Sequence, residues 1–324
     1  MSFSTTGMNE MSTFKIVVIG IFTACIVVGI GLFALSKRSG STENANLVVW
    51  GTLSPETFDT AYKNSSIVKN QAIQVSYIKK DPSSFDADFV EALAAGKGPD
   101  IVILRDDSVY KNTNKLFLIP YKNYSARKFK DTFIEEGELF LGGEGVIALP
   151  FIIDPMVMYW NRDLFSNNLV TSPPEYWDEV YPIINKITRK DSSGSILQSA
   201  LALGEWKNIT SAKEIISMLL LQAGTPIVSR TANGVSSVLN LTFNYPIAPS
   251  NSAISFYTQF SNPTSAAYTW NRSLPSSFNF FLSGNLGMYI GFASEIFSIQ
   301  QKNSNLNFDV TGIPQIRNAP KKTT

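Results

Sequence analysis

The feature that most constrains this chain is a break at Asp154-Pro155 between two apolar runs, Val146–Phe151 and Met156–Trp160. A proline has no N–H to give to a sheet ladder, so the two runs are not one continuous central strand. The expectation is that the chain leaves one sheet at Asp154 and enters another, as a two-lobed protein does where it crosses between lobes. At 324 residues the chain is long enough for two domains and can bury about three quarters of its unfolded surface.

Strand and helix signals on either side support an α/β class. Leu47–Trp50 is a short apolar strand, followed by a Ser54-Pro55 helix start. Ile73–Ile78 alternates as a strand, Ser83–Ala95 carries Phe85, Phe89 and Leu93 at helical spacing, and Asp100–Leu104 is apolar again. Strand, helix, strand, helix, strand predicts a parallel sheet covered on both faces. Beyond the break, Val180, Ile183, Ile184 and Ile187 line one face of a helix predicted over Glu175–Ile187, and Ser199–Leu203 is a strand. A helix capped by Thr210 is predicted to run to Leu221 and stop at Gly224, and helices are predicted over Asn251–Phe260 and Pro275–Ser283. Leu286–Ile290 and Phe308–Ile313 are the last strands.

Composition excludes several classes. The net charge is +1 with Lys and Arg scattered, which gives no footprint for nucleic acid. There is no histidine, so His-based triads and His-ligated zinc are excluded, and the single cysteine, Cys25, permits neither an internal disulfide nor a thiolate metal site. No Walker A pattern occurs. No metal or cofactor is expected. Residues 1–15 read as a tail. Ile16–Leu35 is an uncharged apolar run flanked by Lys15 and Lys37-Arg38, long enough to span a bilayer. It is expected to be an uncleaved anchor, with lipidation at Cys25 as the second choice. Residues 36–45 are a polar linker. The flanking Lys37-Arg38 favours keeping that end inside, against an extracytoplasmic domain.

The order Leu149-Pro150-Phe151, Asp154, Tyr159, Asn161, Asp163-Leu164-Phe165, Pro173-Pro174 and Trp177-Asp178-Glu179 resembles extracellular solute-binding protein family 1, the maltose-binding-like proteins of ABC importers. Ala92–Val102, Leu219–Val228 and Phe281–Gly291 add further matches. The resemblance covers roughly 46 to 315. It implies an α/β, two-lobed, type II periplasmic-binding-protein-like fold behind the N-terminal transmembrane helix, with a first lobe over 46–153 and a second over 154–324. Relatives of this kind continue further, so the resemblance also implies that the last part of the fold is missing here. The implied function is capture of a small polar solute, most simply a sugar or oligosaccharide, outside the cytoplasm. Implied partners are permease subunits served by a separate ATPase, with the membrane reached through residues 16–35.

Ligands of open α/β sheets sit beyond the carboxyl ends of the strands. Sugar is held by aromatic faces and by charged or amide groups that bond its hydroxyls. Trp50 and Arg105, at the ends of the first strands, are therefore candidate ligand-binding residues, as are Trp206, Trp270, Tyr289 and Phe292 near later strand ends. Asp154, at the crossing, is a candidate because a carboxylate at the matching position bonds sugar in relatives; capping of the crossing is the structural alternative. No catalytic residue is assigned. A hydrolase would need carboxylates facing each other across a bond. Asp106-Asp107 and Glu135-Glu136 with Glu138 are adjacent on single loops, which suits solvated charge better. A membrane-anchored adhesion or scaffold protein is the remaining alternative.

Overall fold

The computed structural model describes residues 45–231, 234–317 and 319. The expected membrane segment, 16–35, lies outside the described residues; among these, no helix is long and apolar enough to cross a membrane. Residues up to Phe151 form one compact unit and Ile152 onward a second.

The first unit opens with strand β1 (Ala45–Gly51) and helix α1 (Pro55–Lys63). Ser54 accepts a hydrogen bond from Thr57 N and Pro55 occupies the first turn, so the helix begins where the cap signal placed it. Strand β2 (Ile73–Lys79), helix α2 (Phe85–Ala94) and strand β3 (Ile101–Val102) follow. The sheet has the order β2-β1-β3 and is parallel throughout. Phe85 and Phe89 of α2 pack with Trp50 of β1 in a small core. Leu93, on the same helical face, is exposed. Short helix α3 (Asp106–Val109) precedes strand β4 (Ile119–Pro120), and helix α4 (Ala126–Thr132) lies between β4 and its antiparallel partner β5 (Gly145–Val146), the last strand of the unit. Gly145 is required there, because a Cβ would lie 2.3 Å from the Ile119 carbonyl oxygen.

One expectation is corrected here. The run Val146–Phe151 is not a strand; pairing stops at Val146, and Ile147–Pro155 has no regular structure. Pro150 and Pro155 remove two donors, and the residues between find no ladder. Leu149, Phe151, Ile152 and Ile153 are all about half exposed.

The second unit begins at β6 (Met156–Asn161), directly after Pro155. Asn161 caps α5 (Arg162–Asn167) through Leu164 N. Helix α6 (Val180–Ile187) buries Val180, Ile183, Ile184 and Ile187, the four positions of its apolar stripe. Strands β7 (Arg189–Lys190) and β8 (Ile196–Leu201) lead to helix α7 (Ala212–Gln222). Its cap is Ser211, in the left-handed region at φ 58°, and not Thr210, whose N–H donates to Ser277 Oγ. A hairpin, β9 (Val228–Thr231) with β10 (Gly234–Ser237), follows. Then come helix α8 (Pro249–Thr258), helix α9 (Ser277–Leu282), strand β11 (Leu286–Phe292), helix α10 (Glu295–Lys302) and strand β12 (Phe308–Thr311).

The sheet of this unit has the order β12-β6-β11-β8-β7. β8 and β11 are parallel; β6 runs antiparallel to both β11 and β12. β11 lies between β6 and β8 and is buried from Leu286 to Gly291, as a strand covered on both faces must be. The core joins Tyr159, Ile187, Leu203, Phe260, Trp270, Phe281 and Met288 with many smaller neighbours.

Candidate ligand-binding site

Because β8 and β11 run the same way, their carboxyl ends leave the second unit's sheet at one edge. The register pairs Phe292 with Met156, so the start of β6 lies at that edge too. Three segments therefore converge there: Asp154-Pro155, Gly204–Trp206 and Phe292–Ser294. Open α/β sheets bind ligands at this edge.

Gly204 starts the turn after β8 at φ +96°, and a Cβ there would approach Ser261 N to 2.6 Å. Ser261 Oγ donates to the Gly204 carbonyl at 2.8 Å. The Tyr257 hydroxyl donates to the Glu205 carbonyl at 2.5 Å; burial, then the Glu205 carboxylate, push that phenol's pKa up. This turn presents Trp206 with 63 % of its surface open. Beside it, Glu205 Oε2 meets Arg272 Nε at 2.7 Å, and this bond holds the guanidinium further above its ordinary value. An open indole on the same turn as an ion-paired carboxylate supplies the kinds of group that sugar sites use: an apolar face together with charged donors and acceptors.

The turn after β11 is fixed from inside. Tyr159 donates to the Phe292 carbonyl at 2.7 Å, Phe292 N donates to Glu295 Oε1 at 2.9 Å, and Tyr289 donates to Glu295 Oε2 at 2.6 Å. Burial drives the pKa of both tyrosines well up, and the Glu295 carboxylate adds to it, so both phenols stay protonated donors. Asp154 receives Ser294 N on Oδ1 at 2.9 Å and Ser294 Oγ on Oδ2 at 2.7 Å. The carboxylate thus holds the crossing segment against the residue before α10, while keeping lone pairs for a further donor.

In the first unit all three strands end at one edge. Trp50 is 8 % exposed, and Lys80 Nζ sits 3.7 Å from its ring centroid. Arg105, just past β3, is exposed and reaches Asp107 at 3.4 Å.

The sequence-predicted residues thus divide. Asp154, Trp206 and Phe292 lie on segments that leave one edge of the second unit, and Trp50 and Arg105 flank the corresponding edge of the first. Trp270 and Tyr289 depart from the expectation. Trp270 is 0 % exposed, with its Nε1 donating to Asn208 Oδ1 at 3.1 Å and its ring edge-on to Phe280; Tyr289 is 1 % exposed beneath Glu295. Neither ring has a face left to offer. Sequence reasoning missed Lys80, Arg272, Ser294 and Glu295. Lys80 had a signal: it follows an alternating strand, at the end where ligands sit. Among the described residues no cluster of carboxylates or cysteine could hold a metal ion.

The chain resembles solved structures in fold. A cyclic alpha-maltosyl-1,6-maltose binding protein from Arthrobacter globiformis aligns with a TM-score of 0.65 at 15 % identity, covering 85 % of this chain and 67 % of that one. A cyclo/maltodextrin-binding protein complexed with maltotetraose gives 0.63 at 18 % identity, over 86 % and 67 %. The galacto-N-biose-/lacto-N-biose I-binding protein of the ABC transporter from Bifidobacterium longum, in complex with lacto-N-biose, gives 0.60 at 19 %, over 85 % and 65 %. No curated protein matches the chain. The family model for bacterial extracellular solute-binding proteins matches residues 69–321. Most of the chain lies within that match, and with the α/β fold of both units it makes this chain a member of the bacterial extracellular solute-binding protein family.

Proposed function

We propose that the chain captures a sugar or oligosaccharide outside the cytoplasm and delivers it to the permease of an ABC importer. Family membership carries the binding role. The class of solute is supported by the open Trp206 beside the Glu205–Arg272 pair at the edge where ligands of such sheets sit. It is supported too by the fold relatives, which include proteins solved with maltotetraose and lacto-N-biose. Asp154 and Phe292 complete the second unit's contribution, and Trp50 and Arg105 belong to the first unit's. In this reading the lobes span 46–153 and 154–324, and the solute stabilises whichever form of the protein it binds better. Residues 16–35 hold the protein to the membrane with the globular part extracytoplasmic. The work is capture and not catalysis: the solute is to be recovered unchanged.

A thermal-shift screen of the full-length chain against neutral and charged mono- and oligosaccharides tests this. The expected result is a saturable rise in melting temperature with one sugar class. A well-folded protein that responds to no sugar refutes the sugar assignment, and recovery of a cleaved sugar refutes capture.

A further inference from the structure

The first unit's binding edge is rich in donors. Lys80 follows β2, Trp50 ends β1, and the backbone ties them together: Lys80 N donates to the Gly51 carbonyl at 2.8 Å, and Ile103 N donates to the Trp50 carbonyl at 2.7 Å. The Lys80 ammonium sits over the Trp50 ring, so that face is covered and is closed to sugar stacking. Its carboxylate neighbour, Asp88, stands at 3.6 Å, longer than a hydrogen bond, and the same Asp88 oxygen also faces Ser84 Oγ. The Trp50 Nε1–H lies in the ring plane, where Lys80 cannot serve it, and is buried without an acceptor among the described residues. That N–H is enclosed with the Phe85 and Phe89 rings, so the accessible donor at this edge is the Lys80 ammonium. Other carboxylates nearby are turned elsewhere. Asp81 accepts from Ser83 N and Oγ at 2.7 and 2.5 Å, and Asp107 is turned to Arg105.

We propose that Lys80, seated on Trp50, is a specificity-determining residue of the solute site and that it reads an anionic substituent of the sugar: a carboxylate, as in a uronate, or a phosphate ester. An acid group offers several acceptor oxygens to an edge with donors to spare, and an ammonium held over an indole is positioned before the ligand arrives. The proposal rests on the sugar-binding reading above and narrows it. It reverses the role expected for Trp50, which becomes the seat of a cation and ceases to be a stacking platform.

Calorimetric titration of the full-length chain with matched sets decides it: glucose, galactose and mannose oligosaccharides, the corresponding uronates, and the hexose 6-phosphates. At least one acidic member should bind about ten-fold or more tightly than its neutral counterpart, with an affinity that falls as salt rises. The uronate and phosphate arms tell the two sources of charge apart. Lys80→Met should abolish the preference while leaving the melting temperature of the free protein within a few degrees; Lys80→Arg should keep the preference. Trp206→Ala should weaken acidic and neutral members alike. Neutral sugars binding as tightly as their acids, or a preference untouched by Lys80→Met, overturns this inference and leaves the sugar-binding reading standing. Failure of every member to bind overturns both.

Discussion

Two tryptophans that look alike in sequence should behave oppositely when truncated. Trp270→Ala empties a fully buried site. Loss of a core Trp costs about 3–5 kcal/mol, and Asn208 Oδ1 loses its indole donor in the same stroke. For a unit of roughly 170 residues each kcal/mol moves the melting temperature by about 2–4 °C, so a fall of about 6–20 °C is expected. Trp206→Ala removes an indole that is 63 % exposed and whose Nε1 has no hydrogen bond within the described residues. Its stability cost should stay within about 0.5 kcal/mol. Losing an aromatic face from the site should instead weaken sugar affinity by about ten-fold, or about 1.4 kcal/mol. Differential scanning calorimetry and titration calorimetry on the same preparations read both quantities. If Trp270→Ala leaves the melting temperature unchanged, or Trp206→Ala lowers it as much, the burial argument fails. If Trp206→Ala folds normally and binds every sugar as before, the platform is misplaced.

Other outcomes follow from the same geometry. Gly204→Ala places a Cβ 2.6 Å from Ser261 N at φ +96° and should cost about 2–4 kcal/mol in urea unfolding, with loss of affinity because the turn carrying Trp206 shifts. Gln222→Leu strands the Trp177 Nε1–H and the Pro314 carbonyl, bonded to it at 2.7 and 3.0 Å, and should destabilise by about 2–4 kcal/mol; indole-quenching measurements would report whether Trp177 stays packed. Asp191, held below its ordinary value of 3.8 by the Ser193 hydroxyl and by the Ser195 and Ser193 amides, stabilises the fold above that value. Its contribution is lost as pH falls through the lowered value, so Asp191→Asn should be less stable than wild type near pH 6, and the difference should shrink as pH falls below 3.8 and through the lowered value. Asp154→Ala should loosen the crossing segment at Ser294 and raise amide hydrogen exchange at Ser294 and Glu295, with exchange in β6 unchanged.

What the sequence disclosed depended on whether the deciding interaction was local. Ser54-Pro55 announced α1 because a cap acts within three residues, and the stripe Val180, Ile183, Ile184, Ile187 announced α6 because helical periodicity is local. The Asp154-Pro155 break was legible for the same reason. The run Val146–Phe151 was misleading: it is apolar enough for a strand, but strandhood requires a partner, and only Val146 has one. The hairpin at Val228–Ser237 carried no strong signal in its polar sequence. Trp206 and Trp270 were indistinguishable because burial of the second involves Asn208, sixty-two residues away, and Phe280 on the helix that follows. Lys80 was overlooked because its meaning comes from Trp50, thirty residues away and brought beside it only by the β1–β2 register.

The two hydrophobic cores are unequal. The first unit's main cluster centres on Trp50, Phe85 and Phe89, whereas the second gathers residues from every helix and from each strand between β6 and β12 except β7 and the hairpin. Cooperative melting is governed by such reservoirs of buried apolar area. Heating should therefore dissolve the N-terminal unit first, leaving the C-terminal one as a folded remnant until a higher temperature. Because a bound solute that touches the weaker unit withdraws it from that early transition, ligand should merge two calorimetric peaks into one, a signature of occupancy that needs no label on the sugar.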